Sequence, residues 1–483
     1  MNPFKTLFKH TFVYGLATVL PRMLSFLLVP LYTKLFSDSD YGIITLVFSY
    51  LIFFNVILSY GMETTVFRFF TKQNHKEKVI STATLSIFFS SLLFLIFSII
   101  FNVEISRLLD LNPFHYKLIV WVLFFDAICV IPFAYLRINK KPIRYALVKI
   151  INVVVNLSLN LFLLLKLPIW KNNFEFLNRI YIADFRIEYI FISFVISSGL
   201  TFLLLSPFFI KLKYQFDAKL WKSMMKYALP VLVAGLAFSI NETLDKILLN
   251  YLLPENIAKS QVGIYGACYK LAMFMTLFAT AYRLGIEPFF FSHSQTQNPK
   301  KAYALVTKYF VICGVFILLF VVVFIDYLKL IIQNDVFYEA LGVVPILLLA
   351  NLCLGVYHNL SVWYKITDRT KFGAIISSIG AIVTLAINII FIPLYGFKAS
   401  AIATLCAYGI MMLLSYALGR KYYKIDYPLK RLALYSLLGV SFSALSFYLF
   451  RDQIWIGIVF ILSYLVLAYS FEKRELLYYI KKT

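Results

Sequence analysis

The sequence predicts an all-α polytopic membrane protein, and three observations carry that prediction. Of its 483 residues, 61% are hydrophobic and only 14% are charged, whereas soluble domains are about 45–50% apolar and about 25% charged. The mean hydropathy is +0.82. Apolar runs of about 20 residues, the length that crosses a bilayer as a helix, recur along the whole chain.

The apolar runs divide the chain into about 14 transmembrane helices, with boundaries that are soft by a few residues. The predicted spans are 11–32, 42–60, 79–101, 117–136, 145–165, 188–210, 227–250, 263–284, 302–325, 342–364, 372–392, 398–418, 432–450 and 454–471.

Lysine and arginine in the connecting segments predict the orientation. With the N-terminus inside, the cytoplasmic segments carry 29 Lys and Arg, and the opposite segments carry 11. The positive-inside rule therefore places both termini in the cytoplasm. The cytoplasmic segments are 1–10, 61–78, 137–144, 211–226, 286–301, 365–371, 419–431 and 471–483.

Composition and spacing also exclude several classes of protein. The net charge of +23 is better explained by cytoplasmic loops than by nucleic-acid binding. The five cysteines are scattered through apolar runs without metal-ligand spacing, the five histidines are dispersed, and no phosphate-binding loop is present. We therefore expect no enzyme activity, no metal and no cofactor. The first apolar run is long enough to span, so we expect no cleaved signal peptide.

Three pairs of short patterns indicate an internal repeat. Gly42 and Gly263 open the second and eighth spans, Glu63 and Glu287 follow the cytoplasmic ends of those spans, and Asn160 lies in the fifth span as Asn388 does in the eleventh. The offsets drift only from 221 to 228 residues. An even number of spans per copy gives two parallel six-helix lobes with a site between them.

The repeat divides the chain into three parts. We expect an N-terminal lobe over 1–222, a C-terminal lobe over 223–425, and two additional C-terminal helices over 426–483.

Charges in the seventh span stand out from their apolar surroundings. Asn241, Glu242, Asp245 and Lys246 lie in a run that otherwise reads as a membrane helix. A charge at the centre of such a helix costs about 2.5–3.5 kcal/mol on insertion scales. Glu242 and Lys246 have the favourable i,i+4 order for an ion pair. Two interpretations stay open: a self-neutralising pair that locks this helix to a neighbour, or a face that lines a polar cavity.

Five motifs give the chain a recognisable pattern. They are Leu20-Pro21-Arg22-Met23-Leu24-Ser25-Phe26, Pro30-Leu31-Tyr32, Tyr41-Gly42-Ile43, Asp245-Lys246-Ile247-Leu248-Leu249 and Val262-Gly263-Ile264-Tyr265. With these motifs the chain resembles the multidrug/oligosaccharidyl-lipid/polysaccharide flippase superfamily over nearly its whole length. The most similar branch is that of the polysaccharide-biosynthesis, O-antigen type flippases.

The resemblance implies a multi-pass protein of the bacterial inner membrane that moves an oligosaccharide linked to undecaprenyl pyrophosphate to the outer leaflet. It also implies alternating access, contact with the bilayer and other polysaccharide-assembly proteins as partners. We expect a monomer, and we expect the membrane potential or a gradient of H⁺ or Na⁺ to drive uphill transport.

An anionic substrate of this kind needs cations in a watery cleft, and arginine suits phosphate because its donors form a bidentate fork. The candidate cations are Arg22, Lys246 and Lys270, beside Asn241, Glu242 and Asp245 in the seventh span.

Four further charges have two interpretations each. Asp126 in the fourth span resembles an ion-coupling carboxylate as much as a clamp between helices. Glu63 and Glu287, with Arg283, are candidates for a cytoplasmic gate. A role as helix-end partners is equally compatible with the positions of the two glutamates, and interfacial snorkelling is the better interpretation of Arg283.

Two rival functions remain. An ion-coupled multidrug antiporter of the same fold should have a mainly apolar and acidic cavity, whereas the candidate set here contains three cations. A membrane glycosyltransferase or polysaccharide polymerase usually carries sizeable outer loops, and the outer segments here are short.

Overall fold

The computed structural model is helical throughout the part of the chain that it describes, residues 26–72, 75–182, 185–293, 299–367 and 369–480, where no strand occurs. In these residues, 13 helices are long and apolar enough to cross a membrane. They coincide with predicted spans two to fourteen, which confirms the all-α polytopic class. Most of the first predicted span lies outside the described residues. Helices dominate because each satisfies its own backbone polar groups, which lipid cannot do.

The first half of the chain contributes eleven described helices. These are α1 (Val29–Leu35), α2 (Asp38–Ser59), α3 (Met62–Lys72), α4 (Lys76–Ile100), α5 (Asn102–Leu108), α6 (Pro113–Ile138), α7 (Pro142–Leu161), α8 (Leu167–Trp170), α9 (Glu175–Ile180), α10 (Ile187–Lys211) and α11 (Ala218–Leu252). A π-helical turn over Phe162–Lys166 joins α7 to α8.

The second half contributes nine more in its described part. These are α12 (Glu255–His293), α13 (Pro299–Val323), α14 (Ile325–Leu328), α15 (Val343–Leu360), α16 (Val362–Ile366), α17 (Lys371–Tyr395), α18 (Phe397–Tyr422), α19 (Leu429–Tyr448) and α20 (Ile454–Ile480). Two 3₁₀ segments, Lys329–Ile331 and Asp335–Gly342, lie between α14 and α15.

Local sequence sets several of these boundaries. Pro113 and Pro142 stand at the starts of α6 and α7, where a missing N–H leaves no helical hydrogen bond unmade. The Asn112 side chain caps α6 by accepting a hydrogen bond from the backbone N–H of Phe114 at 2.8 Å. Gly61 separates α2 from α3. Its φ of +69° is a backbone conformation that residues with a Cβ rarely adopt.

Contacts divide the chain into two compact units. Unit 1 is built mainly from Ile43–Ile247, and unit 2 from Val29–Gly42 with the described part of Leu248–Thr483. The lobe boundaries at 222/223 and 425/426 describe a sequence repeat rather than a contact group, and they stay a prediction.

Each unit has its own apolar core. In unit 1, α10 packs against α6 and α7, with Phe133 and Leu205 in the buried cluster. In unit 2, α18 packs against α15 and α17 around Trp363, Tyr408 and Met411.

Two glycines bring α2 and α12 into backbone contact inside unit 2. A Cβ on Gly42 would lie 1.9 Å from the carbonyl oxygen of Lys259, and one on Gly263 would lie 1.9 Å from the carbonyl oxygen of Asp38. Positions 38 and 259 are separated by the same 221 residues as 42 and 263. Reciprocal contacts of this kind are typical of a twofold axis. The crossing therefore supports the repeat, although superposition of the two lobes stays a prediction.

The asparagines of the repeat have the same local geometry, each within its own unit. Asn160 is fully buried and donates its side-chain N–H to the carbonyl of Asn156 at 2.8 Å. Asn388 is also fully buried and donates to the carbonyl of Thr384 at 2.7 Å. Both bonds reach back four residues along a helix, so the two positions are alike in structure as well as in sequence.

Candidate functional site

The charged stretch of the seventh span lies inside helix α11 and is largely buried. Asp245 is 1% exposed and Lys246 is 8% exposed. The ammonium group of Lys246 donates to both carboxylate oxygens of Asp245, at 2.9 and 3.1 Å. Each charge thus offsets the desolvation cost of the other, which a single buried charge in a membrane helix would bear alone. Asn241, one turn earlier, is buried as well.

The predicted i,i+4 ion pair between Glu242 and Lys246 is wrong. Lys246 reaches only the backbone carbonyl of Glu242, at 3.2 Å, and its carboxylate partner is the adjacent Asp245. Asp245 is more deeply buried than Glu242, so the greater saving in free energy comes from pairing the buried carboxylate. The flexible lysine stem allows this contact between neighbours in sequence.

Two candidate cavity residues, Lys270 and Arg22, lie outside the charged stretch of α11. Lys270 lies in α12 and is partly buried. Arg22 lies outside the described residues. Convergence of Arg22, Lys246 and Lys270 on one cavity therefore stays a prediction.

Asp126 connects two helices of unit 1. Its carboxylate accepts a hydrogen bond from the hydroxyl of Ser198 in α10 at 2.8 Å, and it interacts electrostatically with Lys149 in α7. The Lys149 ammonium also lies over the ring of Phe133, 4.2 Å from its centre. These contacts fit the interpretation of Asp126 as a clamp between helices. Its role in ion coupling stays a prediction.

Helix α7 carries a row of three hydrogen-bonded asparagines, of which only Asn160 belongs to the predicted repeat. Asn152 donates to the backbone carbonyl of Ser197 at 3.0 Å and to the hydroxyl of Thr201 at 2.9 Å. Asn156 donates to the hydroxyl of Ser197 at 3.4 Å. The signal in the sequence was the spacing of four residues, which puts all three asparagines on one helical face.

The three candidate gate residues differ in their surroundings and in how far the structure describes them. Glu63 forms an ion pair with Arg137 at 2.5 Å, and both side chains are 43% exposed. This contact fits the helix-end role that the sequence left open. Arg283 is partly exposed in α12, and the side chain of Glu287 lies outside the part that the structure describes. A gate formed by these residues stays a prediction.

Within the described ranges, no group of three or more His, Cys, Asp or Glu side chains is arranged to hold a metal ion.

Comparison with known proteins gives these charges a context. The family model "Polysaccharide biosynthesis protein" matches residues 7–283, more than half of the chain. The chain belongs to this family. It also has the fold of the flippase superfamily that the sequence resembles, since known structures match it over nearly its full length. A search of curated proteins found no significant match.

Two solved structures illustrate the fold of this family member. "Lipid II flippase MurJ, inward closed conformation" is 18% identical, with a TM-score of 0.72, and the match covers 96% of this chain and 99% of that one. An inward-facing multidrug resistance MATE family transporter of the MOP superfamily is 12% identical, with a TM-score of 0.59, over 86% and 94% of the two chains. At these identities the similarity shows the fold alone.

Proposed function

We propose that this protein is a flippase that moves an oligosaccharide linked to undecaprenyl pyrophosphate from the cytoplasmic to the outer leaflet of the bacterial inner membrane, for surface polysaccharide biosynthesis. Membership of the polysaccharide biosynthesis family supports the glycan class. The similar fold of a lipid II flippase supports a substrate in which a sugar is carried on a lipid.

The buried Asp245–Lys246 pair is the observation that carries the proposal. A lysine paired with a carboxylate can stay charged inside the membrane while no substrate is bound. An incoming diphosphate offers the lysine a second anionic partner, and Arg22 and Lys270 would supply further positive charge. Asp245 and Glu242 would keep the empty site near neutral and exchange partners when the substrate binds.

The proposal includes the direction and the energy source. The basic segments favour both termini in the cytoplasm, so the candidate gate of Glu63, Arg283 and Glu287 would face the side on which lipid-linked glycans are made. We propose an ion-coupled step at Asp126, with H⁺ or Na⁺ as the ion. The protein would act as a monomer beside other polysaccharide-assembly proteins.

An ion-coupled multidrug antiporter is the second candidate, because a MATE transporter shares the fold. Lipophilic cations would be repelled by Arg22, Lys246 and Lys270. Transport of a cationic dye by the purified protein, without transport of a lipid-linked glycan, would favour this second candidate.

Substitution of the candidate cations tests the flippase function directly. Arg22→Ala and Lys246→Ala should each lower export of lipid-linked glycan by about 10- to 100-fold, the loss expected from one charge-assisted contact. Arg22→Lys should rescue part of this loss, since a point charge replaces a bidentate fork. Export is measured in cells lacking the endogenous protein, with the amount of each variant in the membrane measured by immunoblot.

Lys222→Ala is the matched control, because it removes an exposed lysine from the same helix, α11, outside the proposed cation set and away from Asp126. It should leave export within about threefold of the unmodified protein. Full export by both Arg22→Ala and Lys246→Ala would remove the cation site from the proposal.

We propose that alternating access opens the crossing of α2 and α12. Asp38 and Ser260 are hydrogen-bonded there, so cysteines at these two positions should form a disulfide across the crossing. In a background without the five native cysteines, oxidation of Asp38→Cys/Ser260→Cys should stop export and dithiothreitol should restore it. Unchanged export by the oxidised double variant would show that this crossing stays closed during transport.

A further inference from the structure

A basic pocket lies at one end of unit 1, away from the charged turn of α11. It forms where α3, α6 and α10 end and where α4 and α7 begin, and it encloses about 320 Å³. Three segments that the charge pattern assigns to the cytoplasm, 61–78, 137–144 and 211–226, meet around it. Because a water molecule takes about 30 Å³ of liquid volume, the space holds a group the size of a phosphate ester with several waters.

The rim of the pocket carries an excess of positive charge. Lys76, Lys141, Arg144, Lys211 and Lys213 line it together with one acid, Glu77. None of these cations forms an ion pair with a carboxylate in the described part of the chain. Five cations around one cleft repel each other, so an anion placed between them is stabilised by all of them.

The floor of the pocket is apolar. Ile80, Pro132, Leu136 and Leu205 line it below the charged rim, and all four are buried. A charged rim over an apolar floor matches an amphiphile whose phosphate is attached to a hydrocarbon part. A free inorganic anion would leave that floor unused.

Two exposed apolar side chains are neighbours in sequence of cations on the rim. Ile143, beside Arg144, is 67% exposed, and Ile210, beside Lys211, is 81% exposed. In a membrane protein such side chains face acyl chains, so the rim cations stand at the depth of the lipid headgroups. A lipid therefore reaches the pocket from within its own leaflet.

We infer that this pocket binds the phosphate headgroup of an anionic phospholipid, with its acyl chains lying against the apolar surface that contains Ile143 and Ile210. Basic pockets between transmembrane helices on the cytoplasmic side bind such headgroups in other membrane proteins. The pocket shares no lining residue with the proposed cation set, and lipid binding there does not depend on transport.

Lipid binding by two matched triple variants tests the inference. Lys141→Gln/Arg144→Gln/Lys211→Gln removes three rim charges. Lys219→Gln/Lys222→Gln/Lys226→Gln removes three exposed charges from the same predicted cytoplasmic surface, outside the pocket. Retention of phosphatidylglycerol by the full-length protein is measured by native mass spectrometry, with phosphatidylcholine as the neutral lipid.

The rim variant should bind phosphatidylglycerol about 100-fold more weakly, since each charge near a lipid phosphate contributes to affinity, and the control variant should change by less than about threefold. Glu77→Gln should strengthen binding by about threefold, because it removes the one acid from the rim. A gain of affinity cannot result from misfolding.

Three outcomes would overturn the inference. Equal loss of binding in the two triple variants would mean that a diffuse surface potential attracts the lipid. Equal retention of phosphatidylcholine and phosphatidylglycerol would exclude a charge-selective site. Displacement of the lipid by inorganic pyrophosphate at a similar concentration would identify a site for a free anion, in which the apolar floor has no role.

Discussion

Two sets of paired charges in this protein, each with a buried lysine and a buried carboxylate at its centre, have different architecture. The Asp245–Lys246 ion pair joins neighbours along a single helix, α11. The second set, in unit 2, joins Lys308 of α13, Arg431 and Tyr435 of α19, and Glu472 with Glu475 of α20. The difference is that one set joins three helices and the other pairs charges within one helix.

In the unit 2 network, each charged group is paired with another member of the network. The Lys308 ammonium lies 2.5 Å from a carboxylate oxygen of Glu472 and 2.5 Å from one of Glu475. Arg431 and the Tyr435 hydroxyl both donate to the other oxygen of Glu472, at 3.1 and 2.8 Å. Two cations thus balance two carboxylates, and the partners come from three helices, so the network anchors the two C-terminal spans to α13.

The pair in α11 has a different consequence. Because its two members are adjacent in sequence, their separation does not depend on the packing of one helix against another. Breaking this one contact therefore does not by itself separate two helices. We therefore expect substitutions in the unit 2 network to reduce stability and substitutions of the α11 pair to reduce transport.

Glu472→Ala should have the largest effect on stability. Lys308 is 3% exposed and Glu472 is 2% exposed, so the variant leaves a buried ammonium with one carboxylate fewer. We expect the free energy of unfolding to fall by about 3 kcal/mol, at the low end for breaking a buried pair because Glu475 remains. Unfolding of the purified protein in detergent, followed by the loss of helical circular dichroism, measures the change.

Glu475→Ala is the matched control in the same network, since its carboxylate contacts the same ammonium but is one-third exposed. It should lower the free energy of unfolding by about 1 kcal/mol or less. Equal effects of the two variants would mean that burial does not set the strength of this network.

Asp245→Asn/Lys246→Gln should separate stability from transport. Replacing both charges by neutral groups removes the buried ion pair as a whole. The free energy of unfolding should therefore lie within about 1 kcal/mol of that of the unmodified protein. If the pair serves transport, export should stay as low as in Lys246→Ala. Recovery of export by the double variant would instead place this pair in the same class as the unit 2 network.

Glu242→Gln/Lys246→Gln is a second double variant that distinguishes the partners. Because Asp245 rather than Glu242 is the carboxylate at 2.9 Å, this variant leaves Asp245 buried without its lysine. It should be less stable than Asp245→Asn/Lys246→Gln by about 1–3 kcal/mol. Equal thermal stability of the two double variants would contradict the pairing.

Glu63→Gln should have the smallest effect on stability. Its ion pair with Arg137 is nearly half exposed at the end of unit 1, and such pairs contribute about 0–1 kcal/mol. We expect the free energy of unfolding to change by less than about 1 kcal/mol. A larger loss would show that exposure is a poor guide to the strength of charge pairs in this protein.

Features that depend on one stretch of sequence were predicted well. Thirteen spans could be located because a membrane helix satisfies its own hydrogen bonds and needs only length and apolar character. The superfamily was recognised from short motifs in the first, second, seventh and eighth spans, and the family match confirms it.

Pairing between distant residues was beyond sequence reasoning. Lys308 and Glu472 are 164 positions apart, and neither residue stands out in its own span as a partner for the other. The rim of the basic pocket likewise comes from three separate segments whose charge was noticed only as a sign of orientation.

The sequence by itself determined the membrane class and thirteen of the spans, and it predicts the repeat, because hydropathy and short motifs are local properties of the chain. Tertiary structure decided which charge pairs with which. Glu242 and Asp245 are both close enough to Lys246 along the helix, and burial by the surrounding helices selects Asp245. Burial depends on packing from the rest of the fold, and the free energy of a charge in a membrane protein depends above all on burial.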